Sequence, residues 1–207
     1  MKFNPSITKD EIALLPVEEF KERIIVIQTE EDAEKAVRYL SDFDVVGFDT
    51  ETRPNFRKGS SNKVGLMQIS TYEVCFLFRL NIIGIPDSLR DFLLNPAVQK
   101  IGLSLKDDFN AIRKRCEIDP LGFIDLQSYV VRFGITDASL QKIYAILFGK
   151  KISKGQRLTN WEAEELTINQ QKYASLDAWA CLLIYEVLYT EETSPAFFPF
   201  TESKIIE

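Results

Sequence analysis

Asp49 and Glu51 stand two apart at the end of the run DVVGFDTET, Asp44 to Thr52, which begins apolar and β-branched and finishes acidic. Side chains alternate along a strand, so both carboxylates emerge on one face. Two acids there make half of a metal site, or merely a solvated strand end. A second candidate lies in KYASLDAWACLLIYEVL, where Tyr173 and Asp177 are four apart and share one helical face. The surroundings are strongly apolar. An aspartate in such a helix is costly unless it pairs with a cation or closes a hydrogen-bond network. Asp177 therefore either belongs to a site or bonds a backbone or tyrosine partner. Between the two, IGLSLKDDFNAI carries the adjacent acids Asp107 and Asp108. Acids in a first helical turn complement the dipole and cap free amides. That account suffices for Asp107, whereas Asp108, followed by Phe109 and Ile112 on a core-facing stripe, is placed to look across to the other acids.

Four carboxylates from three separated elements would form a hard oxygen site suited to Mg²⁺ or Mn²⁺. Two divalent ions offer four positive charges against four negative ones. Such pairs, ~4 Å apart, clamp the attacking and leaving oxygens in phosphoryl transfer, which makes a phosphodiester the natural substrate. The chain contains no histidine among its 207 residues, which excludes Ser-His-Asp triads, Cys-His pairs and imidazole zinc sites. Cys75, Cys116 and Cys181 are odd in number and far apart, so they suggest neither a disulfide framework nor a thiolate metal site. They read as small buried residues in a reducing compartment.

The elements that must position these acids follow from the pattern. Ile24 to Gln28 is a short β-rich run, and Thr29 to Asp32 has the spacing that opens a helix through Leu40. Asp44 to Thr52, Val64 to Ser70 and Glu73 to Leu80 read as three successive strands in an antiparallel meander, with residues 53 to 63 (RPNFRKGSSNK) as a loop. Strand and helix then alternate: helix Asp87 to Leu94, strand Lys100 to Ser104, helix Lys106 to Cys116, strand Gly122 to Leu126. Ser139 to Phe148 is a helix ending at Gly149, and a basic loop, Lys150 to Leu158, follows. The last long helix runs from about Ile168 to about Leu188, with Thr167 as N-cap and Gln170 at the reciprocal position. The expectation is a single α/β domain with a mixed sheet. In the tail from Glu191, Phe197, Phe198 and Phe200 either fold back onto the domain or recruit a partner.

VVGFDTET, IGLSLKDDFNAI and YASLD, in that order, resemble the three motifs of the DEDD superfamily of 3′→5′ exonucleases. The tyrosine in the third places the resemblance in the tyrosine-bearing branch of RNase D and the Werner-type exonuclease domains, and the histidine-bearing sister branch is excluded by composition. TNW at Thr159 to Trp161 resembles the SNW-like segment of Werner-type members. The resemblance runs from about Ile24 to Leu188 and implies a ribonuclease H-like sheet flanked by helices. It divides the chain into an N-terminal extension (1–23), an exonuclease domain (24–190) and a C-terminal tail (191–207). By the same resemblance, Asp49, Glu51 and Asp177 would hold one divalent cation, and Asp49 would be shared with a second cation that Asp108 supports through water. Asp107 is the alternative at that position. Tyr173 would orient the attacking water, and hydrolysis would release a nucleoside 5′-monophosphate. A non-catalytic nucleic-acid-binding module of the same fold is the alternative reading. Members of the ribonuclease D type carry further helical RNA-binding domains, and nothing in this chain corresponds to them.

The implied partner is a nucleic acid with a free 3′ end, single-stranded or overhanging, held by basic and aromatic side chains around the acids. Two stretches qualify: the loop with Arg53, Arg57, Lys58 and Lys63, and the run Lys150, Lys151, Lys154 and Arg157. Either is otherwise a solvated charged loop. Phe56 and Trp161 are possible stacking faces, Trp161 being equally suited to the core, and Met67 and Gln68 line the 3′-nucleotide pocket by analogy with the family. The overall balance of 25 cationic against 31 acidic residues, net −6, argues against indiscriminate binding to polyanions, although it permits a local basic track. Short motifs do not encode the 2′-hydroxyl contacts that distinguish RNA from DNA. No run approaches the roughly 18 apolar residues of a membrane span, and a soluble cytoplasmic protein is expected.

Overall fold

The computed structural model describes residues 3–55 and 62–193. Six strands form one mixed sheet: β1 (Arg23–Ile27), β2 (Val45–Thr52), β3 (Val64–Ser70), β4 (Val74–Phe78), β5 (Gln99–Gly102) and β6 (Phe123–Asp125), ordered β1-β4-β3-β2-β5-β6. The expected meander is present, since β3 runs antiparallel to both β2 and β4. The remaining pairings, β1 with β4, β2 with β5 and β5 with β6, are parallel.

Eight α-helices accompany the sheet among the described residues: α1 (Lys9–Leu14), α2 (Glu30–Leu40), α3 (Leu80–Ile83), α4 (Asp87–Leu94), α5 (Leu105–Arg113), α6 (Leu126–Tyr129), α7 (Leu140–Phe148) and α8 (Ile168–Glu192). Two differ from expectation. Helix α1 lies in the N-terminal extension, for which no element is expected, and the strand expected to reach Leu80 stops at Phe78 because Leu80 begins α3.

Each sheet face has its own core, as a sheet covered on both sides requires. On one face Val46, Phe48, Met67, Phe76 and Phe78 pack with Ala33 and Leu40 of α2, Leu89 of α4 and Ile112 of α5. On the other, Leu66, Leu77 and Ile101 meet Trp161 and the Ala174, Cys181 and Ile184 side of α8. The N-terminal segment lies against the domain through Phe20, 2% exposed, and through a short backbone pairing: Lys151 N–H donates to Pro16 O and Glu18 N–H to Lys151 O, both 2.9 Å. No helix among the described residues is long and apolar enough to cross a membrane.

One close approach sets the geometry of everything below. A Cβ built on Gly47 would lie 2.0 Å from the Ala178 carbonyl oxygen of α8. Real atoms never pack so closely, so only glycine lets α8 settle on β2 here. The helix start is secured by a reciprocal capping box between Thr167 and Gln170, which satisfies two otherwise unpaired amides.

Candidate active site

Two residues beyond Gly47 on the same face, Asp49 lies directly under the turn of α8 that carries Asp177. One carboxylate oxygen from each of Asp49, Glu51 and Asp177 lies within 4.8 Å of the others. Glu51 and Asp177 are buried, at 8% and 7% exposure, and Asp49 is half-buried. The pairing of β2 with β3 shifts register between Glu51 and Thr52. A local irregularity of this kind bends a strand end, and here it falls where the acids emerge.

Asp108 arrives from the other side of the sheet. Its helix, α5, starts at a turn held by Asp125, the last residue of β6, whose carboxylate accepts from the Ser104 and Leu105 amides at 3.1 and 3.0 Å. Ser104 takes a left-handed conformation there, φ 64°. Thr50, between the two strand acids and therefore facing α5, donates its hydroxyl to the Asp108 carboxylate. Asp107 is exposed. Asp108 stands outside the three-acid group, yet its charge reaches Glu51. Thr50 and Asp125 were not singled out from the sequence; the alternation that pairs Asp49 with Glu51 also sends Thr50 to the opposite face, which is the available signal.

The electrostatics show what the arrangement lacks. Burial, then the neighbouring Asp177, holds Asp49 well above the ordinary carboxylate range. Burial and the three other acids push Glu51 up to about 10, with Arg157 opposing. Asp108 is raised to about 8 by burial and by Asp49, and Asp177 to about 7 by burial, offset by a Tyr173 hydrogen bond and by Lys154. Among the described residues no lysine or arginine comes within ion-pairing distance of these four. The donor set is all carboxylate oxygen and carries excess negative charge, which fits hard divalent cations. Asp49, Glu51 and Asp177 would hold such an ion, and Asp108 stands where it could support a second.

Tyr173 donates its hydroxyl to Asp177, and burial followed by the Asp177 and Glu51 charges raises its phenol further above the ordinary value. The ring packs 6.1 Å from that of Trp161. Trp161 is completely buried, so it supports Tyr173 and offers no stacking face to a base. Lys154, Arg157, Tyr173 and Asp177 share the wall of a cleft of about 330 Å³ with Ser104, Gln127 and Gln141. The cleft joins Lys154 and Arg157 to Asp177. Gln170 donates to Thr159 and to the Asn160 carbonyl, at 3.0 and 3.2 Å, pinning this loop to the start of α8.

Other expected contacts fall elsewhere. The Lys151 ammonium bonds the Ala13 carbonyl, because its backbone is paired with the N-terminal segment, so it does not face the acids. Lys150 pairs with Glu18 at 2.8 Å. Met67 is buried in the core on the opposite sheet face from Asp49, as the alternation after Leu66 demands. Gln68 is on the acid face but is fully buried, so it lines no pocket open to a nucleotide. Arg53 is exposed beside Glu162, at 3.8 Å. Phe56, Arg57, Lys58 and the phenylalanines of the tail lie outside the described residues.

Comparison with known proteins agrees with this geometry. The chain is 31% identical over 156 residues to the bifunctional 3′-5′ exonuclease/ATP-dependent helicase WRN of Mus musculus, an alignment that covers 72% of this chain and 11% of that protein. The Aedes aegypti Nibbler EXO domain superposes with a TM-score of 0.76 at 20% identity, covering 86% of this chain and 93% of that one. Trypanosoma brucei RNase D in complex with RNA U12 superposes at 0.73 and 19% identity, covering 84% and 65%. Residues 24–191 match the family described as 3′-5′ exonuclease, a span that includes every acid of the cluster together with Tyr173, and the chain belongs to that family.

Proposed function

We propose that this protein is a divalent-metal-dependent 3′→5′ exonuclease that removes nucleoside 5′-monophosphates from the 3′ end of a single-stranded or overhanging nucleic acid. One observation carries the reading: the carboxylates of Asp49, Glu51 and Asp177 converge from β2 and α8, the charge of Asp108 on α5 reaches Glu51, and no lysine or arginine among the described residues lies within ion-pairing distance of them, on a fold built to hold them together. Two bound Mg²⁺ or Mn²⁺ ions would activate water and stabilise the leaving 3′-oxygen. The chain's own residues do the rest. Tyr173, its phenol kept protonated and donating to Asp177, orients the attacking water by accepting a hydrogen bond from it. Lys154 and Arg157 draw the backbone phosphates along the cleft towards Asp177. Sequestration of Asp49, Glu51 and Asp177 from bulk water strengthens each electrostatic contact at the reacting phosphate. The RNA in the Trypanosoma brucei RNase D complex makes RNA a substrate to test beside DNA. A cytoplasmic location is proposed from the cysteine usage.

The test is a time course on 5′-labelled single-stranded RNA and 3′-overhang DNA of matched sequence, with Mg²⁺, Mn²⁺ or EDTA, beside Asp49→Ala. Expected is a ladder shortening from the 3′ end, lost in EDTA and in the variant. Intact substrate in every lane, with the protein folded, would overturn the enzyme reading in favour of binding without turnover.

A further inference from the structure

The face beneath α8 carries a polar side chain that the site as described does not use. Gln68 is fully buried, and neither its Nε2 nor its Oε1 has a hydrogen-bond partner among the described residues. An unpaired buried polar atom costs about 1–3 kcal/mol, whereas a methionine would fill the same space without that penalty. The position is specific. Gln68 pairs directly with Asp49 across β2 and β3, so both side chains leave the sheet on the same face with Cβ atoms roughly 4.5–5.5 Å apart. Ser175, two residues before Asp177 on α8, also has a buried hydroxyl, and it neighbours the Cys75 thiol.

We propose that Gln68 is a positioning residue for Asp49. Its carboxamide, through one buried water, holds the carboxylate oxygen that faces the sheet and leaves the other directed at the ion. A buried water needs two to four polar partners, and the Gln68 carboxamide and the Asp49 carboxylate supply them. Groups that orient a metal ligand from behind typically change affinity or activity about 10–100-fold when removed. The inference rests on the reading of the acids as a divalent-ion site.

The experiment measures Mn²⁺ binding to the whole chain without nucleic acid, from the free-ion electron paramagnetic resonance signal, for wild type and Gln68→Met, with thermal melts in EDTA alongside. Expected is a Gln68→Met protein that melts no lower than wild type in EDTA yet binds Mn²⁺ about 10–100-fold more weakly. Equal affinity in the two proteins would overturn the role of Gln68 and leave the metal site standing. A wild type that binds no Mn²⁺ would overturn the metal site itself. Should Gln68→Met not fold, the side-chain amide resonances of Gln68 in the wild type decide. They shift and gain exchange protection on addition of Mg²⁺ if Gln68 supports Asp49, and unchanged resonances would overturn it.

Discussion

Tyr173 and Thr50 each stand beside one of the acids, Tyr173 at Asp177 and Thr50 at Asp108. Because the Tyr173 phenol is held protonated by burial and by the acids below it, the role proposed for it is to place a water rather than to take a proton. Tyr173→Phe should therefore lower kcat about 10²-fold, the usual consequence of a misplaced reactant, while Mn²⁺ affinity stays at the wild-type value. A variant with weakened Mn²⁺ binding would mean that the hydroxyl serves the ion instead. Thr50→Val keeps the shape but removes the donor to Asp108. Rates should fall mainly at low Mg²⁺ and recover as the ion is raised, a dependence measurable in one titration. Strand parity alone places Asp49 with Glu51 and Thr50 behind them. Applied to Met67 and Gln68 it would also have separated that pair, since neighbours in a strand cannot share a face. Carrying both over by family analogy put Met67 in a pocket it does not reach. The ammonium of Lys151 was not readable, because its partner, Ala13, comes from a segment far away in sequence.

Helix α8 shows which parts of an element are written locally. Its capping box and its apolar length are visible in the residues themselves, and the helix forms where they say. Helix α1 has the same signature, Thr8 with Glu11, but six residues are well under the ~12–15 at which an isolated helix becomes marginal, so contacts with the rest of the chain decide it. The seating of α8 on β2 depends on a single missing Cβ. Gly47→Ala drives a methyl into the Ala178 carbonyl, and such overpacking costs about 1–3 kcal/mol. The expected result is a Tm lower by several degrees. Activity should fall further than that loss of folded protein explains, because the lifted helix separates Asp177 from Asp49. Unchanged activity per folded molecule would show that the helix spacing has slack.

The sheet as a whole was only partly foreseeable. The meander β2-β3-β4 follows from short connections, whereas the parallel pairing of β1 with β4 at one edge joins segments whose contact depends on the entire sheet. That assembly forces four acids together, and the cost appears in stability. A carboxyl whose folded pKa exceeds its unfolded value keeps its proton in the native state after the unfolded chain has lost it, so stability falls as pH rises between the two values. For Asp177 and Asp108 the window runs from the ordinary aspartate value near 4 to about 7 and about 8. In EDTA the Tm of wild type should therefore decline from about pH 5 to about pH 8 relative to Asp177→Asn, which lacks one of the repelling charges. The two proteins should converge at the acid end. Saturating Mn²⁺ reverses the order at about pH 8: an ion at 100 times its Kd adds about 2.7 kcal/mol to the protein that binds it, and in a chain of this length each kcal/mol raises Tm by roughly 2–4 °C. Asp177→Asn, having lost a ligand, should gain much less. Melts that superimpose across pH with and without Mn²⁺ would show that the acids are neither strained nor ligands. A crossing of the two Tm profiles on metal addition would tie the instability of the cluster in EDTA to its capacity to bind.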